Sequence, residues 1–241
     1  MFGSGRGYTG RGRSLVSLRD GSRRRFPIVT LALISANLLA FWYSSSLGEA
    51  RLASFIDLWG VVPRSVVGFF TGGEGHPGVL VTPLTSMYLH IGALHLASNM
   101  LYLWVFGSAV EHHLGRRRFV LFYTCCGLIA AGVQVLATRD SAVPAVGASG
   151  AIAGLLAAYL VFRPGSTVAA LAPFLFFFPT VDLPAVLMLG LWFLSQLLSG
   201  VATLTTAPSG ANLAWLAHLG GFAAGLVLVF VLRPPRRRTY Y

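Results

Sequence analysis

Apolar residues in this chain do not alternate as they would in half-buried strands. They come in blocks of about 15–20 residues, at 27–43, 91–110, 119–137, 147–162, 184–198 and 213–232. Blocks of that length with few charges read as membrane-spanning helices. The fourth is short: at about 1.5 Å per residue it rises roughly 24 Å, against about 30 Å of hydrocarbon. Its start, around Ser149, is therefore expected below the outer membrane surface. Non-helical backbone persists at that depth only where it is buried in protein or lines a water-filled cavity.

The connections divide into three kinds. Residues 47–89 are long and unusually apolar for a loop, with Trp59-Gly60-Val61-Val62 and Val66-Val67-Gly68-Phe69-Phe70, and are expected to lie in the membrane interface. The stretch Val168 to Phe178 is apolar but broken by Pro173 and followed by Pro179, Asp182 and Pro184. Counted as a crossing, it would give seven spans and place the C-terminal arginines outside. Residues 166–183 are therefore expected to form an interfacial or re-entrant connection. The remaining connections are short, and arginine marks some of them.

Composition changes the picture in one respect and charge in another. The chain is 55% hydrophobic and 10% charged, which excludes an ordinary soluble domain. Its net charge of +11 comes from arginine alone, gathered in residues 1–25, at Arg116-Arg117-Arg118, and at Arg233 with Arg236-Arg237-Arg238. A nucleic-acid-binding face would interleave its basic residues, whereas these flank apolar blocks, so no nucleic acid is expected as a partner. Six spans with both ends cytoplasmic satisfy every arginine cluster. Residues 1–25, rich in Gly, Ser and Arg, read as a disordered basic cytoplasmic tail, 26–232 as the six-helix domain, and 233–241 as a short basic cytoplasmic tail. The first block lacks a small-residue cleavage site and is expected to remain as a spanning helix. Cys125 and Cys126 are adjacent within an apolar run and offer neither a disulfide framework nor metal spacing.

Polar groups inside spans are costly and mark function by default. His95 and Asn99 in the second span, Ser149 in the fourth and His218 in the sixth all fall near the starts of blocks that run from outside to inside. They should share one depth. A serine hydroxyl needs a base within hydrogen-bond reach, and His218 is the candidate. None of the seven acids falls inside a span beside His218, so a Ser149–His218 dyad is expected. The Ser149 backbone N–H, at a helix start, with His95 and Asn99 at i,i+4, would supply oxyanion donors. Gly150 and Gly154, and Gly221 and Gly225, give each helix a small face for close approach. His90 is expected at the cavity mouth. The chain contains no H-E-x-x-H, the common zinc metalloprotease signature, and no paired intraspan aspartates for an aspartyl mechanism; no metal or other cofactor is expected.

These residues resemble the rhomboid family of intramembrane serine proteases, of the bacterial six-span type. The resemblance is carried by His90, His95 and Asn99, then by Gly107, Glu111 and Gly115 in a G-x-x-x-E-x-x-x-G. It continues through Gly147-Ala148-Ser149-Gly150 to His218-Leu219-Gly220-Gly221 with Gly225. It implies an all-α polytopic bundle, Ser149 as nucleophile, His218 as base, and His95 and Asn99 at the oxyanion. It further implies single-span membrane proteins as substrates, entering laterally past the fifth span with Trp192 and Phe193 as gate residues. The expected place is the plasma (inner) membrane, spanned several times. Two positions depart from the family pattern. Val81-Thr82-Pro83 stands where many members carry Trp-Arg, and Ala153 where some place an aromatic ring against the histidine. Trp215 or a loop aromatic is then expected to orient His218. A non-cleaving pseudoprotease that binds transmembrane helices is the alternative, and a small-molecule transporter is disfavoured by the lack of an internal repeat. Nothing in the sequence sets the oligomeric state.

Overall fold

A computed structural model describes residues 26–73, 75–171, 180–206 and 214–234. The basic tail expected over 1–25 lies outside the described residues, as do 235–241, Glu74, Pro173, Pro179 and Leu213. The chain is an all-α membrane bundle. Its apolar helices are α1 (Ile28–Ser45), α4 (Ala93–Leu114), α5 (Arg116–Ala137), α6 (Ser149–Phe162), α7 (Ala185–Thr206) and α8 (Ala214–Leu232), with α2 (Glu49–Trp59) and α3 (Pro63–Thr71) between the first two. Four of them, α1, α4, α5 and α8, are long and apolar enough to cross a membrane, while α6 and the described apolar part of α7 are shorter.

Local chemistry sets the boundaries. Pro63 opens α3, where its missing N–H costs nothing, and Gly72, with φ of 75°, closes it. Within α4 a π turn over Leu103–Gly107 interrupts the ladder. Gly107 lies against Thr30 of α1, and a Cβ there would approach the Thr30 Cγ2 to 3.4 Å. One turn later Glu111, only 4% exposed, caps the start of α1. It accepts from the backbone N–H of Val29 (3.1 Å) and Thr30 (2.8 Å), and from the Thr30 hydroxyl (2.8 Å). Pro27, at the N-cap, gives α1 no side-chain cap of its own, and a carboxylate at the positive end of the helix dipole replaces it. The start of α1 thus meets the end of α4, so the two helices run in opposite directions.

The segment expected to be interfacial or re-entrant is an antiparallel pair of strands, β1 (Thr167–Leu171) and β2 (Thr180–Pro184), in the register Thr167↔Pro184 to Leu171↔Thr180. A two-stranded ladder leaves edge groups unpaired, which hydrocarbon does not tolerate, so this segment does not add a crossing.

The core of the bundle is α5, α6 and α8. Ten of the fourteen residues of α6 are buried. Its glycines bring it onto α8 backbone to backbone: a Cβ on Gly221 would collide with the Gly150 carbonyl oxygen, and one on Gly225 with the Gly154 carbonyl oxygen. Cβ atoms on Gly150 and Gly154 would in turn meet the Ala130 Cβ and the Cys126 Sγ of α5, each at 2.5 Å. In lipid, where apolar side chains gain little by leaving their surroundings, such close approach is what binds helices.

Candidate active site

Close approach of α6 and α8 sets the position of Ser149. The segment before it is pinned by a backbone bridge between Val61 and Ala145 (3.0 and 2.8 Å) and by Gly147 N–H donating to the Ser86 carbonyl (2.9 Å). Gly147 has φ of 125°, a region that side chains rarely adopt. A Cβ there would also stand 3.0 Å from His95 Nε2 and 3.7 Å from Asn99 Nδ2. Glycine is therefore required at 147 twice over, for the turn and for the space into which His95 and Asn99 reach.

Ser149 is the first residue of α6, so its own backbone N–H is among the donors that a helix start leaves without an intrahelical partner. Its Oγ lies 2.7 Å from His218 Nε2, across the glycine contact between α6 and α8. On α4, Asn99 is buried and donates through Nδ2 to His90 Nε2 at 2.9 Å, leaving the second amide proton of Nδ2 for another acceptor. His90 and His95 meet edge to face, with centroids 4.9 Å apart. His90 is not at the cavity mouth: it is 4% exposed and sits behind Asn99, which needs an acceptor to hold its amide in place. Burial, and then the neighbouring His95, push the His90 pKa down to about 4, so its ring is neutral at physiological pH.

A cavity of about 370 Å³ opens over the pair, lined by His95 and Asn99 of α4, Ser149 of α6, Trp192 of α7 and His218 of α8. The structure thus brings four residues singled out from the sequence to one surface. The two gate candidates separate. Trp192 lines the cavity and leans on the His218 ring at 5.8 Å, whereas Phe193 packs on Phe222 of α8, also at 5.8 Å. Among the described residues the ring lying against His218 is Trp192 of α7, where Trp215 or a loop aromatic was expected. Ala153 is fully buried within α6, where no larger ring has room.

A second cavity, of about 70 Å³, also borders Ser149 and His218 and is lined by Ser86, Gln134 and Gly147 among others. Gln134 is buried, and its Oε1 has no hydrogen-bond partner among the described residues. Gln196 was missed by sequence reasoning. Its Oε1 stands 2.5 Å from His218 Nδ1. The rule that found His95 and Asn99, a costly polar side chain inside an apolar block, applies equally to Gln134 and Gln196.

These features define a helical membrane bundle built around a serine–histidine pair. Comparison with known proteins narrows that class: residues 77–235, well over half of the chain, match the family described as Rhomboid domain. The chain belongs to the rhomboid family. It is 34% identical over 134 residues to the rhomboid protease GluP of Bacillus subtilis (strain 168), covering 56% of this chain and 24% of that protein. It is 28% identical over 219 residues to the mitochondrial presenilin-associated rhomboid-like protein of Mus musculus, covering 87% of this chain and 48% of that one. The chain thus spans less than half the length of either relative.

Proposed function

We propose that this chain is an intramembrane serine endopeptidase that cuts single-span membrane proteins within or beside their transmembrane segment. The observation that carries the reading is the 2.7 Å contact between Ser149 Oγ and His218 Nε2, in a cavity lined by residues of α4, α6, α7 and α8. As Oγ attacks the scissile carbonyl carbon, its proton passes to Nε2 and the carbonyl electron pair moves onto oxygen. That oxyanion is held by the Ser149 N–H, Asn99 Nδ2 and His95 Nε2, each well-placed donor being worth about 3 kcal/mol. Collapse expels the amine, which takes the proton from His218, and leaves Ser149 acylated. A water activated by the same histidine then releases the acid. The 70 Å³ cavity has room for such a water beside Ser149, and Gln134 offers it a free acceptor in an otherwise largely apolar lining. No metal or other cofactor enters this scheme.

The arginine pattern supports six crossings with both tails cytoplasmic, and the plasma (inner) membrane is the membrane proposed for them. The lipid bilayer and single-span substrates are then the partners. A fluorophosphonate probe tests the reading against a non-cleaving, helix-binding protein: labelling is expected on purified wild-type protein and is lost with Ser149→Ala. Cleavage of a single-span test substrate should fall by about 10⁴-fold or more in Ser149→Ala and His218→Ala. Unchanged cleavage in either variant sinks the proposal.

A further inference from the structure

We infer that Gln196 is a positioning residue for His218: it fixes the tautomer and the ring plane of the base through Nδ1, in the place where an acid would stand in a triad. The inference rests on the protease reading above. Among the described residues no carboxylate approaches His218, and its Nδ1 meets Gln196 Oε1 at 2.5 Å.

The direction of this bond follows from the groups around it. Ser195 Oγ donates to the Trp192 carbonyl at 2.6 Å, so its lone pairs remain to accept, and Gln196 Nε2 donates to that oxygen at 3.3 Å. That sets the amide with Oε1 toward the histidine. An amide oxygen only accepts, so the proton of His218 sits on Nδ1, and Nε2 presents its lone pair to the Ser149 hydroxyl. Four hydrogen bonds then run in one sense, from Ser149 through His218, Gln196 and Ser195 to the Trp192 carbonyl. In a low-dielectric site such a chain polarises each of its members.

Trp192 and Gln196 lie at i,i+4, on one face of α7. The histidine ring is therefore held at one edge by Ser149, at the other by Gln196, and leaned on by Trp192. Ala153 leaves α6 without a ring for that purpose, and α7 supplies the support instead. A neutral amide also differs from the carboxylate of a triad. It aligns the imidazole but meets the imidazolium with a dipole, not a full charge.

The test compares Gln196→Leu with Gln196→Glu in the full chain, using the fluorophosphonate labelling rate and cleavage of a fluorogenic single-span substrate across pH. Gln196→Leu removes the acceptor at similar volume; kcat and the labelling rate are expected to fall about 10- to 100-fold with KM nearly unchanged. Gln196→Glu restores an acceptor, recovers most of that loss, and moves the acid limb of the kcat profile to higher pH, because an anion beside the imidazolium favours its charged form. A glutamine that only packs would give no recovery with Glu and an unmoved profile, and that result overturns the inference. So does wild-type kcat in both variants. Ser149→Ala separates the two readings. Labelling that survives it sinks the protease reading and this inference together. Labelling lost in it, but indifferent to both Gln196 variants, sinks this inference alone.

Discussion

Helices α6 and α7 both pack on α8, the helix that carries His218, and they do so in opposite ways. α6 does so with bare backbone: Gly150 and Gly154 lie against Gly221 and Gly225, and most of the helix is buried. α7 does so with side chains, through Trp192, Phe193 and Gln196. Its other faces are open, with Val186, Leu187, Leu191, Leu194 and Leu198 each 49–61% exposed. A backbone contact has one geometry and no slack, whereas a side-chain contact can be broken and remade. Ser149 thus stands on the closely packed part of the molecule, while Trp192 and Gln196, the α7 partners of His218, stand on a part held by side chains alone.

The comparison breaks most directly at Gly221. Valine there has nowhere to go, because its Cβ would collide with the Gly150 carbonyl and no flexible side chain is present to yield. Overpacking in an ordinary core costs about 1–3 kcal/mol. Here two helix backbones must part, and with them Ser149 from His218. Gly221→Val is expected to yield no folded, fluorophosphonate-reactive protein on size exclusion in detergent. Leu191→Ala, on the open face of α7, should stay within about 0.5 kcal/mol of wild type in thermal unfolding. Normal folding of Gly221→Val would show that the α6–α8 seam has slack after all.

α1 falls between the two cases. Few of its residues are buried, and a single acid, Glu111, ties its start to the end of α4. Glu111→Ala leaves the Thr30 N–H and hydroxyl without their acceptor, at an expected cost of about 2–3 kcal/mol in thermal unfolding. Glu111→Gln should recover part of that. Because Glu111 lies sixteen residues along α4 from His95, roughly 24 Å away, the labelling rate of the protein that remains folded should not change. A parallel loss of labelling would mean that α1 helps to hold the site.

The same contrast explains how much could be read from the sequence. The six apolar blocks and the four polar residues near their starts were legible because each carries its own signal, in length or in cost. The glycine faces were legible too, since only small residues permit close approach at i,i+4. Ala153 showed that something other than α6 must support His218, but not what. Trp192 and Gln196 meet the histidine through the packing of α7 on α8, a relation between distant segments that no local pattern carries. The strand pair of β1 and β2 was hidden for a similar reason: pairing between strands, and not periodicity within either, makes it. His90 was misplaced because its burial depends on Asn99, nine residues away and on another element.

The smallest effect is also the one with the opposite sign. If a substrate helix enters between α4 and α7, then α7 must swing away and its side-chain contacts with α8 must loosen, the Phe193–Phe222 pair among them. Such a pair is worth about 0.5–1.5 kcal/mol beyond its buried area. Phe193→Ala removes it without touching the cavity lining. About 1 kcal/mol less to open corresponds to roughly a fivefold higher kcat/KM for a single-span substrate. A small fluorophosphonate reaches Ser149 with α7 in place, so its labelling rate should not rise. The gain should also appear in KM and not in kcat, because the swing that admits a substrate also withdraws Gln196 from His218, and chemistry waits until α7 returns. If Phe193→Ala instead slows cleavage and labelling in parallel, α7 belongs to the fixed frame with α6, and the two helices differ only in how they are packed.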